Sequence, residues 1–158
     1  MKKLKDPCKH LGYFLERAKR LGSTLGPILV QLPPRWKRNS QRLEEFLDAV
    51  PRHCRWAVEL RDTDWLCDEV YDLLRANNAA LVIHDMIAGH PRIITAEWTY
   101  LRFHGQSYGG SYSDQKLAEV SSFIREQLSE GLDVYAYFNN DLEGYAVKNA
   151  FTLKKLLE

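Results

Sequence analysis

The chain has 158 residues, enough for one ordinary domain with a single hydrophobic core. Apolar residues at 45% and charged residues at 27% sit at soluble globular averages, which excludes disordered and collagen-like classes. The balance of 22 Lys and Arg against 21 Asp and Glu leaves a net charge of +1, which excludes a grip on nucleic acid by bulk charge alone.

Cys8, Cys54 and Cys67 are odd in number and far apart, so they predict reduced structural thiols and neither a disulfide framework nor a cysteine zinc site. The basic opening MKKLKDPCKH runs into Asp6-Pro7 and lacks the apolar stretch of a secretory signal. The longest apolar runs, such as Ala79 to Ile83, fall far below the roughly 20 residues that span a bilayer. A cytoplasmic protein without membrane contact is the expectation.

A first helix is predicted over about His10 to Leu21, where Leu11, Phe14, Leu15, Ala18 and Leu21 recur at three- and four-residue spacing and Gly22 stops the run. Pro27 to Leu32 reads as a strand closed by Pro33-Pro34. A helix from Ser40 carries Leu43, Phe46, Leu47 and Val50 and stops at Pro51. Arg55 to Leu60 is the next strand, and Asp64 is expected to cap a helix to about Ala76, with Val70, Leu73 and Leu74 inward. Asn77-Asn78 then turn the chain into a strand from Ala80 to Ile83. Trp98 to Phe103 is a further strand, followed by a long helix from an N-cap at Ser113 to Ser129, just before Gly131. Leu132 to Phe138 is the last strand, and a helix over about Tyr145 to Leu157 shows Ala146, Ala150, Leu153 and Leu157 on one side. Short β-rich runs alternating with helical periods predict an α/β fold with a parallel sheet, in about five βα units. Such units fit an open doubly wound sheet or part of a (βα)8 barrel. A nucleotide-binding doubly wound fold usually has a glycine-rich turn after an early strand, and here that turn reads QLPPRW.

Four strings carry a resemblance: LGPILVQLPPRW at Leu25 to Trp36, WAVELRDTDW at Trp56 to Trp65, YLRFHG at Tyr100 to Gly105, and VYAYFNNDLEGYAVKNA at Val134 to Ala150. Together they resemble the YecE-like family, a TIM-barrel group catalogued as a domain of unknown function, in order and spacing across nearly the whole chain. The resemblance implies a partial TIM barrel formed by the carboxyl-terminal strands, with the family's first three units absent. Residues 1–158 are then a single domain, a truncated YecE-like barrel. Such a barrel takes about 250 residues to close, so two sheet edges stay open and invite self-association or a partner chain.

In a barrel of this kind the chemistry belongs at the carboxyl ends of the strands. Gln31 ends the first strand, Glu59 and Arg61 the second, His84 and Asp85 the third, and Arg102 and His104 the fourth, while Asn139, Asn140 and Asp141 follow the fifth. Buried charges need partners, so an ion pair such as Glu59 with Arg102 is the plain structural reading. The functional reading makes Glu59, Arg102 and His104 catalytic, with Arg102 as an anion clamp whose guanidinium matches paired phosphate or carboxylate oxygens. Gln31, Arg61, Asp85, Asn139 and Asn140 are the accompanying ligand contacts. Tyr108, Gly109 and Gly110, in the loop HGQSYGGSYSD, join them, because glycines leading into a helix point backbone N–H groups at an anion. Tyr112 in the same loop is a stacking candidate. His84, Asp85, His104 and Glu59 lack diagnostic metal spacing, and no metal or cofactor is expected.

The leading expectation is an enzyme-like barrel that binds or hydrolyses a phosphate-bearing ligand. The alternative is a nucleic-acid-binding module using Arg35, Trp36, Lys37, Arg38 and Arg42, and the third is an inactive fragment.

Overall fold

The computed structural model describes residues 3–105 and 109–158. Helix α1 (Pro7–Ala18) runs into a 3-10 segment, Lys19–Thr24, and strand β1 (Ile28–Gln31) follows. Then come α2 (Ser40–Ala49), β2 (Trp56–Glu59), a 3-10 turn at Thr63–Trp65, α3 (Asp68–Ala76), β3 (Ala80–His84) and β4 (Trp98–Phe103). The chain continues through α4 (Asp114–Ser129), β5 (Asp133–Phe138), a 3-10 turn at Leu142–Gly144 and α5 (Tyr145–Leu157). The five strands pair in sequence order, all parallel. No helix among the described residues is long and apolar enough to cross a membrane.

The sheet is curled into a half-barrel. In a flat sheet β1 and β4 stand about 14 Å apart, three strand spacings, which is beyond the reach of one side chain. Yet Arg102 of β4 donates to Gln31 of β1 at 2.9 Å. At the opposite strand ends Arg55, just before β2, pairs with Asp133 of β5 at 2.5 Å and donates to Tyr135 at 2.6 Å.

Strand alternation separates two layers. Leu29, Ala57, Ala80, Val82, Trp98, Tyr100 and Tyr135 line the concave side. On the convex side Ile28, Val58, Leu60 and Leu81 pack with the first three helices, while Ile83, Leu101, Phe103, Val134 and Phe138 pack with the last two. The expected N-cap at Ser113 is present, its hydroxyl accepting from Lys116 N–H at 3.2 Å, and Asn39 caps α2 in the same way.

Four expectations are corrected. Helix α1 begins at Pro7 and ends at Ala18, and Gly22, with φ 53°, lies inside the 3-10 segment that follows; Phe14 and Leu21 are exposed. Asp64 caps no helix: Asp62 captures its N–H, and Trp65 is drawn into the core, where its indole donates to the Trp36 carbonyl at 2.6 Å. That tight turn delays α3 to Asp68. In α5 Ala150 is exposed and Asn149 takes the buried position, because its amide finds partners in Ser111 and Tyr112 of the loop before α4 and in Asn140 after β5. Finally, the units are not all βα: residues 85–97 connect β3 to β4 without a helix.

Candidate functional site

Glu59 is the last residue of β2 and is 0% exposed. A carboxylate without water needs cations and donors at hand, and the curl supplies them. Arg102 reaches its Oε2 at 2.5 Å, and Arg61 brings Nε to 3.1 Å from Oε1. The Arg61 contact is an ion pair without hydrogen-bond alignment, since Oε1 has no hydrogen-bond partner. The expected Glu59–Arg102 pair is therefore real, and a second guanidinium shares it.

Arg102 is held on three sides. One terminal nitrogen donates to both Glu59 and Gln31, and Nε donates to Asn139 at 3.1 Å. Its other terminal nitrogen has no hydrogen-bond partner among the described residues. Arg61 also donates to the Met86 sulfur. Gln31, Glu59, Arg61, Arg102 and Asn139 thus converge from four strand ends.

Beside this group stands a histidine–carboxylate pair. Asp85 Oδ1 lies 3.2 Å from His104 Nδ1, and both its oxygens accept from the His104 N–H. Tyr112 donates its hydroxyl to Asp85 while accepting from Gly105 N–H at 2.5 Å. Burial, then the bond to Asp85, pushes the Tyr112 phenol well up, so it acts as a donor there. Tyr112 is buried and hydrogen-bonded, which removes it from the expected stacking surface. Gly105 must be glycine: its φ is 100°, and a Cβ would meet the Gly109 nitrogen at 2.6 Å.

His84 lies beneath, its Nε2 2.8 Å from the Leu60 carbonyl and its Nδ1 accepting from Met86 N–H. Burial lowers its pKa, consistent with a neutral ring. His90, whose ring centroid is 4.4 Å from that of His84, is lowered to about 4 by burial first and by His84 second. Tyr100 lies under Tyr137, rings stacked at 4.8 Å, and burial pushes its phenol up to about 12.

The remaining expected residues divide. Asn140 is fully buried and donates to the Gly110 carbonyl at 3.0 Å and to Asn149 at 2.9 Å, so it ties the end of β5 to the preceding loop. Gly109 joins Met86, His104, Asn139, Asp141, Leu142 and Glu143 around an open pocket of about 620 Å³ at the strand ends. Tyr108 lies outside the described residues. Among the described residues no three His, Cys, Asp or Glu side chains gather as a metal-holding group. In the basic segment Trp36 is buried edge-on to Trp65, Lys37 pairs with Asp62 at 3.1 Å and Arg38 with Glu69 at 2.8 Å, while Arg35 and Arg42 make no ion pair among the described residues. Sequence reasoning missed His90 and Asn149. Only the polar break in the apolar stripe of α5 signalled the latter.

A model of the family described as "Protein of unknown function DUF72" matches residues 1–158. The chain belongs to this DUF72 family. The YecE-like group is the same family. This DUF72 chain superposes on the crystal structure of a DUF72 family protein from Thermotoga maritima with a TM-score of 0.85 and 28% identity, covering 97% of this chain and 66% of that one. A DUF72 family protein from Enterococcus faecalis shares the fold at a TM-score of 0.80 and 23% identity, over 97% of this chain and 66% of that one. No curated protein matches the chain. The chain thus spans 66% of the length of the solved relatives to which it is similar.

Proposed function

We propose that the mouth of this half-barrel binds a phosphate-bearing ligand and hydrolyses it by acid–base chemistry. The observation that carries the reading is the sharing of one buried carboxylate by two guanidiniums. Glu59, Arg61 and Arg102 together hold one more positive than negative charge, and Arg102 keeps an unengaged terminal nitrogen among the described residues. A guanidinium fixed on three sides loses little freedom when a phosphoryl oxygen meets its fourth. Glu59 is then a counter-ion that positions the clamp rather than a base. His104 is the acid–base group: Asp85 at Nδ1 orients the ring and leaves Nε2 for the ligand. Gln31, Asn139 and the backbone at Gly109 and Gly110 complete the contacts.

We further infer that the two sheet edges close against additional strands, as the last five strands of an eight-stranded barrel would require. The solved relatives' greater length supports this, as do the exposed Phe14, Tyr137, Val147 and Phe151.

The experiment is titration with phenyl phosphate together with a hydrolysis assay on p-nitrophenyl phosphate. Arg102→Ala should weaken binding about tenfold or more, while His104→Ala should abolish turnover and leave binding within about twofold. Unchanged affinity in Arg102→Ala would remove the clamp assignment.

A further inference from the structure

Each parallel connection in this sheet is covered on its convex side by a helix except the one from β3 to β4. There the sheet lies under residues 85–97 and the flank of α4, and a cavity of about 330 Å³ remains. It depends on neither sheet edge, because β3, β4 and α4 are all interior to the chain.

Its lining is amphipathic. Ile83 and Leu101 come from the strands, Val120 and Phe123 from α4, and Arg92, Lys116 and Arg102 supply positive charge, of which Arg102 is already engaged by Glu59, Gln31 and Asn139. Lys116 leans on Glu119 at 3.3 Å. Arg92 has no carboxylate within ion-pair distance among the described residues, and its guanidinium lies 5.1 Å from the centroid of the Phe123 ring. The acidic lining residue, Asp85, is already engaged by His104 and Tyr112. An anionic group is therefore drawn to Arg92 and kept from Asp85.

Volume narrows the occupant. Small-molecule sites span about 300–1,000 Å³, so this one is at the lower limit. A docked helix, roughly 10 Å across with its side chains, is far too large. We propose that the cavity binds a small organic carboxylate, with a single ring or short acyl chain, whose apolar body packs on Ile83, Leu101, Val120 and Phe123. The carboxylate meets Arg92, whose fork matches its two oxygens, with Lys116 as second cation. His84, Asp85, Arg102 and Tyr112 also line the cavity, so it adjoins the mouth, but its apolar wall and Arg92, beside Phe123 of α4, lie on the convex side and play no part in the function proposed there.

Calorimetric titration of the full chain with phenylacetate and octanoate tests it, with 2-phenylethanol and octanol as uncharged counterparts. The expected result is saturable one-to-one carboxylate binding, weakened about tenfold or more by Arg92→Glu, with alcohol binding changed less than about twofold. Arg92 is exposed, so the variant should keep the native circular dichroism spectrum. Ala88→Trp, at the exposed rim, should block acids and alcohols alike. Absence of saturable binding by either acid at millimolar concentration overturns the proposal. So does acid binding that both Arg92→Glu and Ala88→Trp leave unchanged.

Discussion

Strands β2 and β5 belong to one parallel sheet but lie in opposite surroundings. All four residues of β2 are buried, including a carboxylate, whereas β5 exposes Asp133, Ala136 and Tyr137, the last at 42%. A central strand can carry a buried charge because the curl brings Arg102 across from β4 to join Arg61, which follows Glu59 just past the end of its own strand. An edge strand has a neighbour on one side only, and its polar residues turn to water or to a single partner, as Asn139 does with Arg102.

The contrast predicts a descending series. Glu59→Ala should cost the most, about 3–5 kcal/mol in urea unfolding, because it leaves two arginines without their buried counter-charge. A cost below about 1 kcal/mol would mean that water already serves the pair. Leu81→Ala, in the fully buried part of β3, should lose about 2–5 kcal/mol through transfer and cavity terms.

Acid should act next, through the histidines under the mouth. Unfolded His90 titrates near 6.5 and folded His90 near 4, so between those values the unfolded chain binds the proton first. Stability is then full above about pH 6.5 and declines as pH falls towards 4. Burial of His84 acts in the same direction. His90→Gln should flatten the melting temperature between pH 4 and 6.5; an unaltered pH profile would remove His90 from the account. The smallest effect belongs to the edge: while the additional strands are not bound, Phe151→Ala on α5, 64% exposed in this chain, should change stability by less than about 0.5 kcal/mol. A loss above about 2 kcal/mol, growing with protein concentration, would show that another chain covers this face.

The strand-end residues were legible in the sequence because alternation and βα order are local properties. Gln31, Glu59, Arg61, Arg102 and Asn139 all stand where that logic puts them. Their mutual contacts were not legible, since the Arg102–Gln31 bond exists only because the sheet curls across three strand spacings. Asn139 and Asn140 are adjacent in sequence, yet alternation sends one to Arg102 and the other into the loop latch with Asn149. The contacts of the basic run from Arg35 to Arg42 were hidden for a related reason: its tryptophan and two of its cations meet partners brought by the turn at 62–69. The missing helix between β3 and β4 left only a negative trace, a stretch with no apolar period.

The most direct test of the account is a double-mutant cycle of Glu59→Gln and Arg102→Gln by urea unfolding. The buried pair predicts a coupling energy of about 1–3 kcal/mol. Additive losses, with coupling indistinguishable from zero, would contradict it.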